Sequence, residues 1–192
     1  MTDTEIINII LHGNRDKFRV LVEKYQSMVF HTCMGFVHDK DDAEDLMQEV
    51  FVQTYQSLSS FKGDSAFSTW IYRIAVNASL NMVRKKSRNL ILNRLDSLFV
   101  AEKGKEIYLP AYDSPDPESI LIRHEKSKWL QNALDSLPEN QRTAIVLSKY
   151  DDLSQKEIAA IMKISEGAVE ALIQRAKANL RIKLSSIHKK IR

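Results

Sequence analysis

The chain has 192 residues, 44% of them hydrophobic and 28% charged, with five glycines, four prolines and one cysteine. That composition excludes collagenous and low-complexity chains, and a lone Cys33 excludes an intramolecular disulfide and suits a reducing compartment. The net charge of +3 conceals four blocks: net −5 over residues 1–60, +6 over 61–105, −3 over 106–137 and +5 over 138–192. Their alternation predicts two separate nucleic-acid contacts, each beside a surface suited to a basic protein partner.

No stretch alternates like a strand, and helix formers are abundant, so the expected fold class is all-α. The N-terminus, Met1-Thr2-Asp3-Thr4-Glu5, has no basic n-region, and Asn8 breaks its apolar run from Ile6 to Leu11. Neither a signal peptide nor a membrane span is expected, which places the chain in the cytoplasm with no direct membrane insertion. The five histidines are scattered without zinc-like spacing, so no metal site and no cofactor are expected.

Residues 4–14 form a short helix ending near Gly13. A longer one runs from Asp16 or Lys17 to about Val37, with Phe18, Leu21, Val22, Tyr25, Met28, Val29 and Cys33 along one side. Cys33 lies among apolar neighbours and reads as a buried structural thiol. The string from Asp39 to Asp45 opens a third helix. Asp41 with Glu44, or Asp42 with Asp45, would cap it, and the carboxylates complement the helix dipole. Ala43, Leu46, Met47, Val50 and Tyr55 or Thr54 supply its buried side. Asp45, Gln48, Glu49 and Val52 form a neighbouring outer stripe. Carboxylates in this setting, with no histidine partner and no glycine-rich phosphate loop, do not support catalysis.

The stretch from Phe61 to Lys86 is the most informative. A small-residue loop, Lys62-Gly63-Asp64-Ser65-Ala66, precedes a helix for which Asp64, Ser65 or Ser68 could serve as N-cap. Phe67, Ile71, Ile74 and Ala78 make one apolar stripe. Trp70, Arg73, Asn77, Asn81 and Arg84 make another that holds an indole, two amides and guanidinium groups and no carboxylate. Aromatic planes stack on unpaired bases, amides bond base edges, and guanidinium groups hold phosphates. Followed by Arg84-Lys85-Lys86-Ser87-Arg88, such a face suits DNA whose strands are being opened.

Ser60 to Phe67, followed by Thr69 to Asn77, closely resembles the extracytoplasmic-function (ECF) sigma factors of bacterial RNA polymerase. The resemblance implies that this segment melts and reads the −10 promoter element. Asn77 would help select a base captured by the Lys62–Ala66 loop, Arg73 and Asn81 would line the same surface, and Trp70 would support opened DNA. The string Asp42 to Phe51 is similar to the segment by which sigma factors grip the coiled coil of the polymerase β′ subunit. Asp45, Gln48, Glu49 and Phe51 are then the implied contacts. An inhibitory anti-sigma protein is a further implied partner, and no catalytic activity of the chain's own is implied.

Residues 88–116 contain Pro110 and Pro115, with Pro117 just beyond, and read as a flexible linker that Asn89 to Leu92 shortens by extending the preceding helix. A second helical domain begins at about residue 117, with Ile120, Leu121, His124, Trp129, Leu130, Ala133 and Leu134 as candidate buried positions. Ser136-Leu137-Pro138-Glu139 restarts a helix with a Ser/Glu capping box. Another such box, Ser154-Gln155-Lys156-Glu157, opens a helix that turns through Lys163-Ile164-Ser165 into a last one. This is helix-turn-helix grammar. From Ala171 onward there are seven Lys/Arg and no carboxylate.

Leu137-Pro138-Glu139 and the segment from Leu153 to Arg181 resemble the family's −35-binding domain. Ser165, Glu166, Gly167, Glu170, Gln174, Arg175, Lys177 and Arg181 are the implied −35 contacts. Relatives often begin this recognition helix with small and basic residues. Here Glu170 departs from the pattern and is suited either to accept from a cytosine amino group or to keep clear of phosphate. The expected organisation is a region 2-like domain over 1–87, a linker over 88–116 and a region 4-like domain over 117–192, bound to core polymerase and promoter DNA. The rival reading is a stand-alone helix-turn-helix repressor.

Overall fold

A computed structural model describes residues 1–99 and 128–188, with side chains placed for 1–89 and 128–185, and every regular element among them is helical. The candidate core positions Ile120, Leu121 and His124, most of the 88–116 linker and the basic residues Lys189, Lys190 and Arg192 lie outside the described residues.

Helix α1 (Asp3–Leu11) begins at a capping box. The Glu5 amide donates to the Thr2 hydroxyl, and the Thr2 amide donates back to the Glu5 carboxylate at 2.8 Å. A 3₁₀ turn at Arg15–Lys17 leads into α2 (Phe18–Val37), which stops at His38 in the left-handed region (φ 58°). Helix α3 (Lys40–Gln56) is capped by Asp39, whose carboxylate accepts from the Asp42 amide at 3.0 Å. The two carboxylate pairs expected as caps are therefore helical, because the chain enters the helix earlier. Thr54, not Tyr55, takes the inner position, and its hydroxyl donates to the Val50 carbonyl at 2.7 Å.

Helix α4 (Phe67–Phe99) is 33 residues long and continues well beyond residue 88. The Trp70 amide bonds the Ala66 carbonyl, so the helix is entered from Ala66, and Ser68 lies inside its first turn. Phe67, Ile71, Ala75 and Ala78 are buried against α1–α3, together with Leu21, Val29, Cys33, Leu46, Val50 and Leu58. This is the N-terminal core, and it buries Phe67, Ile71 and Ala78 of the expected stripe, while Ile74 is half-buried against it and Ala75 takes a fully buried place.

In the C-terminal half, α5 (residues 128–135), α6 (Glu139–Lys149), α7 (Gln155–Met162) and α8 (Glu166–His188) follow in order. The Ser154–Glu157 capping box forms with both bonds present. The Ser136–Glu139 box does not. Pro138 occupies the N-cap of α6 with no side chain to offer, Ser136 donates to the Ala133 carbonyl, and Glu139 turns to a partner on α4. Lys163 closes α7 in the left-handed region (φ 57°), and the Ser165 hydroxyl accepts from the Ala168 amide at the start of α8. Leu130 is exposed, whereas Ala133 and Leu134 are buried.

A second face of α4 joins the halves. Tyr72 and Val76 are buried with Phe36 of α2 in the core formed by α6–α8, and Leu80 and Val83 pack against it. Gly35 lets α2 approach α6 closely, since a Cβ there would come within 2.7 Å of Val146 Cγ1 and 3.2 Å of the Tyr150 ring. Arg142 is buried at this seam, where its guanidinium bonds the Phe36 carbonyl, lies 5.6 Å from the Phe36 ring and pairs with Asp135 at 2.5 Å.

The seam also holds a carboxylate. Asp151 lies 3.1 Å from the Thr32 hydroxyl, and burial pushes its pKa up to about 6, against a smaller lowering by that contact and by His31. The hydroxyl has a single proton and also reaches the Met28 carbonyl at 3.0 Å. That proton is shared between the Met28 carbonyl and the Asp151 carboxylate, so the contact offsets only part of the effect of burial. Around it, Asp152 adds repulsion. Burial raises the Cys33 thiol to about 11 and also raises the Tyr72 hydroxyl, and the Asp151 charge reinforces both shifts.

Raised from 3.8, this carboxyl is protonated in folded and unfolded chains below about pH 4, where burial costs nothing, and charged in both well above pH 6. Stability is therefore lost as pH rises through about 6. Asp151→Asn should stabilise the chain near pH 8 by about 1–2 kcal/mol, after allowance for partial solvent exposure, and flatten the change in melting temperature between about pH 4 and 6. Thermal melts in which wild type and variant keep parallel pH profiles would show that Asp151 does not titrate there.

Candidate nucleic-acid interface

The loop from Lys62 to Ala66 is closed by the aromatic residues on either side of it. The rings of Phe61 and Phe67 meet edge to face at 5.5 Å, and both contact Trp70, at 5.4 and 5.6 Å. Such edge-to-face and tilted contacts fix ring orientations beyond simple burial. Gly63 takes φ 79°, open to glycine without strain, and no atom stands within 4 Å of where a Cβ would be. Lys62, Gly63, Asp64 and Ala66 are exposed and Ser65 is half-buried. The result is a small loop with accessible backbone, anchored at both ends. Trp70 belongs to that anchor, with its indole half-buried and packed on the N-terminal core.

Down α4 from the loop, Asn77, Asn81 and Arg84 are exposed and Arg73 is half-buried. Their surroundings differ from those of an open DNA-binding face. The Arg73 guanidinium donates to two backbone carbonyls in the last turn of α7, Ala160 at 2.7 Å and Ile161 at 3.2 Å. Arg84 makes a two-pronged bond to Glu139, Nε to Oε1 at 2.6 Å and Nη2 to Oε2 at 2.5 Å. That carboxylate holds the Arg84 pKa up, and the guanidinium holds the Glu139 pKa below the ordinary range. Arg84 also donates to Asn81 Oδ1 at 3.1 Å. Asn77 lines a crevice of about 300 Å³ with Arg73, Asn140, Thr143 and Lys163. Sequence reasoning did not anticipate these partners, although Tyr72, Val76, Leu80 and Val83, spaced as a second apolar stripe, were a visible signal for them.

The acidic face of α3 divides into two environments. Asp45, Gln48 and Glu49 are exposed, and Glu49 accepts from Gln53 at 2.9 Å. Phe51 is buried, edge-on to Phe18 with ring centres 6.4 Å apart, so it supports this face from beneath. Beside it, Phe18, Val22, Phe51, Val52 and Tyr55 line an apolar depression of about 720 Å³. Lys86 pairs with Asp42 and ties the basic end of α4 to the acidic start of α3.

On the last helix, Glu166, Gly167, Glu170, Gln174, Arg175, Lys177 and Arg181 are all exposed, and Ser165 stands at its first turn. Val169, Ile173 and Ala176 face inward, against Ile158, Ala159 and Ile161 of α7. Asn179 donates to Gln141 of α6 at 2.8 Å. The α7–turn–α8 unit is thus a helix-turn-helix, with its outer face free of hydrophobic duty. Among the described residues no helix is long and apolar enough to cross a membrane.

Comparison with known proteins gives the same two-part division. The model of sigma-70 region 2 matches residues 21–89, and that of sigma-70 region 4 matches residues 127–180. The chain is 36% identical over 182 residues to the ECF RNA polymerase sigma-E factor of Escherichia coli, covering 92% of this chain and 91% of that one. It is 34% identical over 177 residues to the RNA polymerase sigma-H factor of Pseudomonas aeruginosa, covering 91% and 90%. In fold it resembles CnrH, solved in complex with the cytosolic domain of CnrY (TM-score 0.62, 23% identity, 96% and 97% of the two chains). It also resembles the sigma factor RpoE from Bartonella quintana, solved with the anti-sigma factor NepR (TM-score 0.56, 24% identity, 88% and 96%).

Proposed function

The chain belongs to the sigma-70 family as an ECF sigma factor of bacterial RNA polymerase, and from that we propose how its parts share the work of initiation. Region 2 over 1–87 binds core polymerase and takes hold of the −10 element. Region 4 over 117–192 sets register on the upstream duplex, and 88–116 connects them. The observation that carries this reading is the Lys62–Ala66 loop, exposed yet pinned by Phe61, Phe67 and Trp70 at the head of a helix bearing Arg73, Asn77, Asn81 and Arg84. A loop of small residues with accessible backbone can receive a base that has left its stack. The amides then read its edge, and the guanidinium groups hold the flanking phosphates.

The chain has no part in the chemistry of polymerisation, and its role is positioning. On α3, Asp45, Gln48 and Glu49 face outward and meet the basic coiled coil of the polymerase β′ subunit, with Phe51 as their packed support. On α8, Ser165, Glu166, Gly167, Glu170, Gln174 and Arg175 face the −35 duplex, and Lys177 and Arg181 hold its backbone. An inhibitory anti-sigma protein is a further partner, in keeping with the company in which CnrH and RpoE were solved. A free-standing repressor has no use for a region 2 module, which argues against that alternative.

Replacing Asp45 and Glu49 with Lys sets like charge against the polymerase with little change in burial. Core binding in a pull-down should be lost while helicity and melting temperature stay nearly constant. Retained core affinity would remove this role from α3.

Asn77 should govern base choice more than overall affinity. Loss of its amide should cost about 1–3 kcal/mol at one −10 position, the value of a good two-point base contact. The measurement is open-complex formation on templates carrying each base at each −10 position, for wild type and Asn77→Ala. A flattened preference at one position is expected, and a uniform loss would make Asn77 structural. Arg84→Ala, by contrast, should weaken every template alike and lessen the salt dependence.

A further inference from the structure

We propose that Glu170 and Gln174 are the two base readers of α8, Glu170 selecting a cytosine and Gln174 an adenine about two base-pair steps away. The inference rests on the assignment of α8 to the −35 duplex and names what the helix reads there. It comes from how charge is laid out along the free face of that helix.

Val169, Ile173 and Ala176 are buried and fix which side of α8 is turned to α7. Glu166, Glu170, Gln174, Lys177 and Arg181 are all exposed and fall in one stripe about 80° wide. Along that stripe the side chains run from acidic, through an amide, to basic. A recognition helix presents its first turns to base edges in the major groove, and its later turns stand nearer the backbone. The order fits this arrangement. Lys177 and Arg181 lie where phosphates are to be held, whereas a carboxylate is repelled by phosphate and finds its favourable partners among the amino groups of the bases.

Nothing within the described chain stabilises a carboxylate at position 170. Its neighbours one turn away are Glu166, Gly167, Ile173 and Gln174, so no cation pairs with it along the helix and Glu166 repels it. Glu166 itself sits in the first turn, where the helix dipole favours an anion, and by position 170 that effect has faded. The Ser165 hydroxyl is engaged by the Ala168 amide.

Around the pair the helix surface is low. Gly167, Ala171 and Ala178 adjoin it, and no atom lies within 4 Å of where a Cβ of residue 167 would be, so packing does not require glycine there. Small residues let the helix axis approach the groove floor, which leaves the two longer side chains to reach the bases. A carboxylate accepts from cytosine N4, and a glutamine amide makes a two-point bond to adenine N6 and N7. Four residues span about 6 Å along a helix, close to two base-pair steps of about 3.4 Å.

The test uses holoenzyme assembled from core polymerase and the full-length chain, on a duplex library randomised through both promoter elements. Heparin-resistant complexes are sequenced for wild type, Glu170→Gln, Gln174→Ala and Lys177→Ala. Wild type should enrich a C·G pair and an A·T pair two steps apart in the upstream element. Glu170→Gln, nearly isosteric and at an exposed position, should exchange that cytosine for adenine and leave the second position alone. Gln174→Ala should weaken the adenine preference about fivefold or more while the cytosine stays. Lys177→Ala should lower the recovery of every sequence alike.

Unchanged upstream preferences in Glu170→Gln or in Gln174→Ala overturn the proposal. So does a Glu170→Gln chain that binds every sequence more tightly without changing its preference, since the carboxylate then acts only by repelling phosphate. In these cases wild type still selects an upstream sequence, and the assignment of α8 to the −35 duplex stands. A wild type that selects a −10 sequence and nothing upstream removes that assignment, and the base readers with it.

Discussion

The stripe of Tyr72, Val76, Leu80 and Val83 on α4 has no room to bury itself in the N-terminal core, because Phe67, Ile71, Ala75 and Ala78 already fill that side. A helix apolar on two faces must be covered twice, and the second cover here is the C-terminal half. The magnitudes favour the apolar stripe as the source of adhesion. Burying a large apolar side chain contributes about 1.5–3 kcal/mol, whereas an ion pair as exposed as Arg84–Glu139, with about half of each side chain in solvent, is screened by water and contributes little. The stripe supplies most of the attraction between the halves, and the polar contacts fix how they face each other. Gly35 sets the spacing, and Arg142, held by the Phe36 carbonyl and Asp135, sets the register.

The parts of this chain that could be read in advance are those decided within one helix or one turn. The Phe67–Ala78 stripe, the Ser154–Glu157 capping box and the inward row on α2 depend on spacing alone, and each formed as the spacing predicted. The misses have tertiary causes. The Ser136–Glu139 box satisfied every local rule, yet Glu139 has a stronger claimant in Arg84, which reaches it from a helix 55 positions earlier in sequence. Phe51, an implied contact residue, is buried and packed on Phe18, a neighbour on another helix that spacing along α3 does not reveal. Asp151 meets the Thr32 hydroxyl, 119 positions away in sequence, and no local pattern announces that contact.

Candidate site residues were legible by type and not by partner. An exposed amide row and two arginines can be read from Asn77, Asn81, Arg73 and Arg84, because their chemistry is intrinsic. The groups opposite them belong to α6 and α7, whose placement depends on the second stripe of α4. Reading Tyr72, Val76, Leu80 and Val83 as a stripe in its own right would have indicated that something covers this face.

Guanidinium groups beside an apolar seam need acceptors, and Arg73 and Arg84 find them in the carbonyls of Ala160 and Ile161 and in Glu139. The same seam carries an intrinsic weakness in Asp151, which is forced to choose near neutral pH between bearing an ill-solvated charge and holding a proton. A seam built for stability alone would place an apolar or amide side chain there. Apolar adhesion at this seam is thus opposed by a poorly housed carboxylate.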